Sequence, residues 1–224
     1  RVYASALSEG ALRYRQRRGL LDAHEQMALL IMRVSGTAGG RYFYPHAAGV
    51  GLSFNPYRWN PKIDMHAGVV RLVAGLGTRA VDRADDDYTR LIALNEPELR
   101  PETNFGAIAR HAQRRMDVLD LSGDGVVTGP FAELSAEDAS FPLDLFTTRE
   151  QPERPPFLTF DGLIRNGEFV ERMQAILGHL QSAYRHPVEI EFALNVRPGE
   201  PLRINLLQCR PMQVRSVDQR VKAE

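Results

Sequence analysis

The sequence predicts an α+β fold, with mixed and antiparallel strands packed against a few helices. Three observations predict it. His186 to Asn195 and Leu202 to Pro211 alternate apolar and polar residues on either side of Pro198-Gly199-Glu200-Pro201, a hairpin signal. Asn166 to Arg185 places Phe169, Met173, Ile176, Leu177, Leu180 and Tyr184 at helical spacing, the mark of an amphipathic helix. Shorter apolar runs bounded by glycine and proline read as further strands.

Taken in order, Ser8 to Arg18 reads as a helix, with Ser8 as N-cap, Glu9 in the first turn and Gly19 as its stop. Met27 to Val34 is a continuous apolar run that suits a strand buried on both faces. Gly49 to Pro56 reads as a strand, and Pro56 to Met65 as a loop holding the only tryptophan, Trp59. Ala67 to Ala74 is another strand and runs into the turn Gly75-Leu76-Gly77. Asp85-Asp86-Asp87 reads as a solvated acidic turn, since it lacks the spacing of a calcium loop. Asn104 to Arg114 reads as a short helix. Arg115 to Leu121 and Val126 to Thr128 flank an Asp-Gly turn and form a second hairpin. Ser135 to Pro156 is polar and proline-containing, and reads as an irregular surface connection.

Composition narrows the classes. The 224 residues are 43% hydrophobic and 25% charged, enough for one substantial core or two small lobes. The formal net charge of +0 gives no reason to expect nucleic acid or an anionic membrane as partner. No apolar run approaches the ~20 residues that span a bilayer. A single cysteine, Cys209, excludes an intrachain disulfide and a multi-cysteine zinc site, and a reducing cytoplasm fits. The chain opens Arg-Val-Tyr-Ala-Ser without a signal peptide, as expected of a piece of a longer polypeptide.

The last hairpin carries the chemistry. With its turn centred between Gly199 and Glu200, Glu191 faces Gln208 and Glu189 faces Arg210. Side chains alternate along a strand, so these four polar groups share one side, and Ile190 and Cys209 point to the other. Magnesium takes oxygen ligands from one or two carboxylates plus phosphates, and an amide oxygen can complete the shell. An arginine one pair away can hold phosphate. The competing reading is a surface hairpin with a Glu–Arg ion pair worth about 0–1 kcal/mol.

Glu189-Ile190-Glu191-Phe192-Ala193, followed by Leu206-Leu207-Gln208-Cys209-Arg210-Pro211, resembles the closing hairpin of the nucleotide-binding domain of phosphoenolpyruvate synthase and pyruvate phosphate dikinase. The family pattern is Asp-x-Glu-(Phe/Trp)-(Ala/Thr), a turn, then Leu-Gln-x-Arg-Pro. The resemblance implies the carboxyl-terminal lobe of an ATP-grasp domain, with ATP and Mg²⁺ as cofactors. It makes Glu191 and Gln208 the metal ligands and Arg210 the catalytic phosphate contact. Glu189, where the family often has Asp, supports metal or ribose. Gly75-Leu76-Gly77 matches the family's Gly-Leu-Gly-Glu turn beside the nucleotide, with Thr78 in place of the Glu and Arg79 as a candidate phosphate contact. Met32 to Val34 stand where family backbone carries the adenine ring, with Met32 and Arg33 replacing a Gln and a Lys.

Thr37-Ala38-Gly39-Gly40 before His46-Ala47-Ala48 imitates the family's phosphohistidine motif. Five residues separate Gly40 from His46, against three in the motif, and a strand follows instead of a helix, so the match is a decoy.

The implied activity is that of an ATP-dependent phosphotransferase with a pyruvate-type acceptor. Phosphate passes from Mg-ATP to a histidine on a separate phosphohistidine domain, and from there to pyruvate, giving phosphoenolpyruvate. The family's amino-terminal lobe has no counterpart here, so residues 1–224 read as one nucleotide-binding subdomain of a larger enzyme, inactive alone, with 213–224 as linker or tail. A second copy of the chain is a further candidate partner. The alternatives are a nucleotide-sensing or interaction module without phosphotransfer, or a related dikinase with another acceptor.

Overall fold

A computed structural model describes residues 2–24, 26, 28–81, 87–123, 125–151 and 155–212. The chain divides into two units, Arg1–Val34 and Ser35–Glu224.

The first unit holds α1 (Val2–Ser5) and α2 (Glu9–Arg17). Ser8 caps α2 as its sequence predicts, its Oγ accepting from the Ala11 N–H at 3.3 Å. Gly19, at φ +66°, follows Arg18 in the left-handed conformation that ends many helices. The strand expected over Met27 to Val34 does not form. Residues 28–34 have no secondary structure and are exposed, Leu30 by 80% and Ile31 by 91%; Met27 lies outside the described residues. An apolar run states a preference for burial, but a strand also needs hydrogen-bonded neighbours.

The second unit begins with β1 (Thr37–Gly39), β2 (Tyr42–Tyr44), β3 (Ala47–Leu52), a 3₁₀ turn at Met65–Ala67 and β4 (Val69–Ala74). Next come α3 (Thr78–Val81), β5 (Arg90–Ala93), α4 (Phe105–Arg110), β6 (Arg115–Asp120), β7 (Gly125–Pro130), α5 (Phe131–Ala136) and α6 (Leu143–Phe146). It closes with β8 (Thr147–Thr148), β9 (Phe157–Leu158), α7 (Asp161–Arg165), α8 (Glu168–Tyr184), β10 (Val188–Asn195) and β11 (Arg203–Pro211).

The main sheet has five strands in the order β11-β10-β3-β4-β5, all antiparallel. A four-stranded sheet runs β1-β2-β6-β7, and β8 pairs with β9. The hairpin predicted around the Asp-Gly turn is β6–β7.

One face of the main sheet is core. Val70, Leu72, Ile92, Ile190, Phe192 and Leu194 are buried there with Phe169, Met173 and Leu177 of α8 and with Tyr42, Tyr44, Met116 and Val118 of the smaller sheet. Gly49 and Gly51 of β3 admit this packing; a Cβ on Gly51 would stand 3.1 Å from both Ile190 and Met173.

The segment expected to be an irregular surface connection instead holds the end of α5, α6 and β8 and sends Phe141 and Phe146 into the core. Those rings meet each other edge-on at 5.4 Å, and Phe146 meets Phe160 at the same distance. Its polar residues mask few, widely spaced aromatics, which carry most of the apolar area to be buried.

Candidate functional site

The second face of the main sheet presents the predicted polar set. Glu191 pairs with Gln208 and Glu189 with Arg210, so the four side chains share that face. The register slips by one residue between Glu191 and Phe192, leaving Leu207 as a bulge, and Phe192 then faces Leu206. The slip differs from the straight ladder that the turn position predicts. Without it, Leu206 and Ile204 would lie on the polar face beside Gln208. With it, they join Phe192 and Leu194 on the apolar side. The turn itself closes through the Glu200 N–H donating to the Arg197 carbonyl at 3.1 Å, with Gly199 at φ +75°.

Glu189 and Arg210 are joined at 2.7 Å, the carboxylate's hydrogen bond and charge raising the guanidinium above its ordinary pKa. Glu191 is half-buried and Gln208 is exposed. Neither side chain makes a hydrogen bond among the described residues, so their oxygens are free to accept a ligand. A carboxylate and an amide oxygen from opposed positions suit a hard divalent cation whose remaining ligands are phosphate or water. The described residues hold no cluster of three or more His, Cys, Asp or Glu able to bind a metal alone. Further along the ribbon, Asn195 and Asn205 both donate to Ser35 Oγ, at 3.2 and 2.7 Å.

The glycine turn leaves the end of β4, two strands from β10. Gly75 has φ +81°, and the Leu76 N–H donates to the Asp117 carbonyl at 2.8 Å. Gln113 secures the approach. Its Oε1 accepts from the Ala74 N–H at 2.7 Å, and its Nε2 donates to the Ala74 and Arg115 carbonyls at 3.0 and 2.8 Å.

Arg79 turns into the protein. It reaches Asp87 at 2.9 Å and Asp117 at 3.1 Å, and only 15% of its side chain is exposed. Asp87 therefore belongs to a packed ion network, not to a solvated turn; it also accepts from the Arg114 and Arg115 N–H groups. Asp82 to Asp86 lie outside the described residues. Burial pushes the Asp117 carboxyl up, but hydrogen bonds from Thr78 at 2.5 Å and Thr128 at 2.7 Å, with the Arg79 charge, hold it below its usual pKa. A guanidinium held by two carboxylates has little charge left for phosphate.

Met32 and Val34 lie in the first unit, 51% and 48% exposed, with no secondary structure to orient their backbone. His46 is buried, its Nδ1 accepting from the Val196 N–H at 3.0 Å, and burial lowers its pKa. Its Nε2 is buried without a partner among the described residues, and a strand, β3, follows it where the motif has a helix, in keeping with the decoy reading.

Two polar residues escaped the sequence reading, Arg71 on β4 of the main sheet and Asp117 on β6 of the smaller one. Asp117 looked like one polar position in a strand, and Arg71 like one in another. Alternation along each strand tells that they share a face with their cross-strand partners, but not what covers them.

This α+β fold, with an acid, an amide and a guanidinium aligned on one sheet face, is an ATP-grasp-like nucleotide-binding fold. The family model of the pyruvate phosphate dikinase AMP/ATP-binding domain matches residues 1–224, and the chain belongs to that family. No individual curated protein matches it. Among the described residues no helix is long and apolar enough to cross a membrane.

Proposed function

We propose that the chain is the ATP-binding portion of a phosphotransferase resembling phosphoenolpyruvate synthase and pyruvate phosphate dikinase. Phosphate passes from Mg-ATP to a histidine on a separate domain, and then to pyruvate. The observation that carries this reading is the placement of Glu191 and Gln208, unpaired and on one side, one residue pair from Arg210.

Glu191 and Gln208 would hold Mg²⁺, which would supply positive charge to neutralise the phosphates. Arg210 holds the transferring group, and Glu189 keeps that guanidinium aimed and charged. The Gly75–Gly77 turn lets backbone approach the nucleotide. Phosphoryl transfer asks little covalent chemistry of a protein, so positioning and charge neutralisation suffice.

The test is a calorimetric titration of Mg-ATP into the wild type and Glu191→Gln. A loss of at least tenfold in affinity with an unchanged melting temperature is expected, and equal affinities would refute the assignment.

A further inference from the structure

We propose that the cavity floored by Arg71 is a second ligand site, apart from the metal–nucleotide row, for a small molecule carrying a phosphate or carboxylate on an aromatic body. The cavity measures about 730 Å³ and is bounded by Arg71, Leu91, Ala80 and the residues that follow β5. That volume lies within the range of small-molecule sites.

Arg71 is half-buried, and its buried Nε–H meets no acceptor among the described residues. A buried donor left unpaired is costly, and more so when the group is charged, so this side chain calls for an anion. A planar guanidinium suits the paired oxygens of phosphate or carboxylate. The other arginine of the cavity, Arg79, is already held by Asp87 and Asp117. Tyr57, Tyr88 and His111 supply aromatic surface, the last two meeting edge-on at 4.9 Å. Glu102 also lines the cavity, and its buried Oε2 has no partner, which calls for a donor elsewhere on the ligand.

The site is separate because the sheet between it and the hairpin is filled. Across the strands, Glu191 pairs with Val50 and Val50 with Arg71. Val50 is 1% exposed, clustered with Val73 and Ala80 and packed by Trp59. An apolar ridge therefore stands between Glu191 and Arg71. The inference does not rest on the nucleotide reading.

The test titrates 4-aminophenyl phosphate and 4-aminobenzoate, each with an anion at one end and a donor at the other. Calorimetry and the emission of Trp59, the only tryptophan, report binding. Saturable binding of at least one probe is expected, weakened at least tenfold in Arg71→Gln and unchanged by saturating Mg-ATP. Arg71→Gln should retain the wild-type response to Mg-ATP, so that the two sites fail independently. Whichever probe binds tells phosphate from carboxylate. If Arg71→Gln does not fold, Arg71→Lys keeps the charge but lacks the buried Nε donor, and must also lose the binding. Absence of saturable binding, equal binding by the variants, or displacement by Mg-ATP overturns the proposal.

Discussion

Glu191 and Gln208 stand directly opposite one another, and the next residue of the ribbon, Leu207, is the bulge that lets both keep the polar face while Phe192 and Leu206 share the apolar one. Deleting Leu207 restores a straight ladder and turns either the Gln208–Arg210 end or the Ile204–Leu206 end to the wrong side. We expect a loss of about 2 kcal/mol or more in denaturant unfolding, the scale of misplacing a large apolar side chain. Mg-ATP affinity should fall with it. A deletion variant of wild-type stability would contradict this account of the bulge.

Asp117 should govern the acid limb of stability. Its folded-state pKa is depressed, so its contribution is fully present above the ordinary carboxylate value of about 3.9 and is lost as pH falls through the folded value. Asp117→Asn leaves Arg79 with Asp87 alone and should cost about 3 kcal/mol near neutrality, typical of breaking a buried ion pair. The gap to the wild type should narrow below pH ~4. Chemical denaturation at a series of pH values gives both numbers, and a constant gap argues against the network.

Gly75 and Gly77 should separate structure from binding. A Cβ at Gly75 would lie 2.7 Å from the Asp117 carbonyl, on a residue already at φ +81°. Gly75→Ala should therefore lower stability by more than the ~1 kcal/mol usual for a left-handed position. A Cβ at Gly77 meets only the Ala48 Cβ, at 3.4 Å. Gly77→Ala should fold normally and, if the proposed function holds, bind Mg-ATP more weakly, because the added methyl would enter the space that reading gives to the nucleotide. Unchanged binding would remove Gly77 from the site.

Arg210→Ala should leave the melting temperature essentially unchanged, since more than half of the Arg210 side chain is exposed and surface ion pairs stabilise little. In the phosphotransferase proposed above, with its phosphohistidine partner present, phosphotransfer should fall by about a hundredfold or more, the scale of removing a charged group that acts on the transferring phosphate. Equal turnover by the variant and the wild type would reduce Glu189–Arg210 to an ordinary surface pair.

Several features were legible because they depend on neighbours in sequence. Ser8 caps α2, Phe169, Met173 and Leu177 face the core from α8, and the terminal hairpin pairs Glu191 with Gln208. Even the bulge has a trace, in the apolar doublet Leu206-Leu207 where the alternation changes phase. Segment 135–156 misled because composition averages over residues, while burial is decided by the few aromatics that find a cavity to fill. The run at 28–34 misled because a strand exists only with a partner.

By itself the sequence determined the local periods, the turns and the order of polar groups along the closing ribbon, since these follow from backbone geometry within a few residues. Only the tertiary structure decided which arginine is neutralised and which keeps an unpaired Nε–H among the described residues. Asp87 and Asp117 meet Arg79 from distant points of the chain, while Val50, Ala80 and Trp59 wall Arg71 away from Glu191. Charge pairing depends on proximity in space, and sequence separation does not report it.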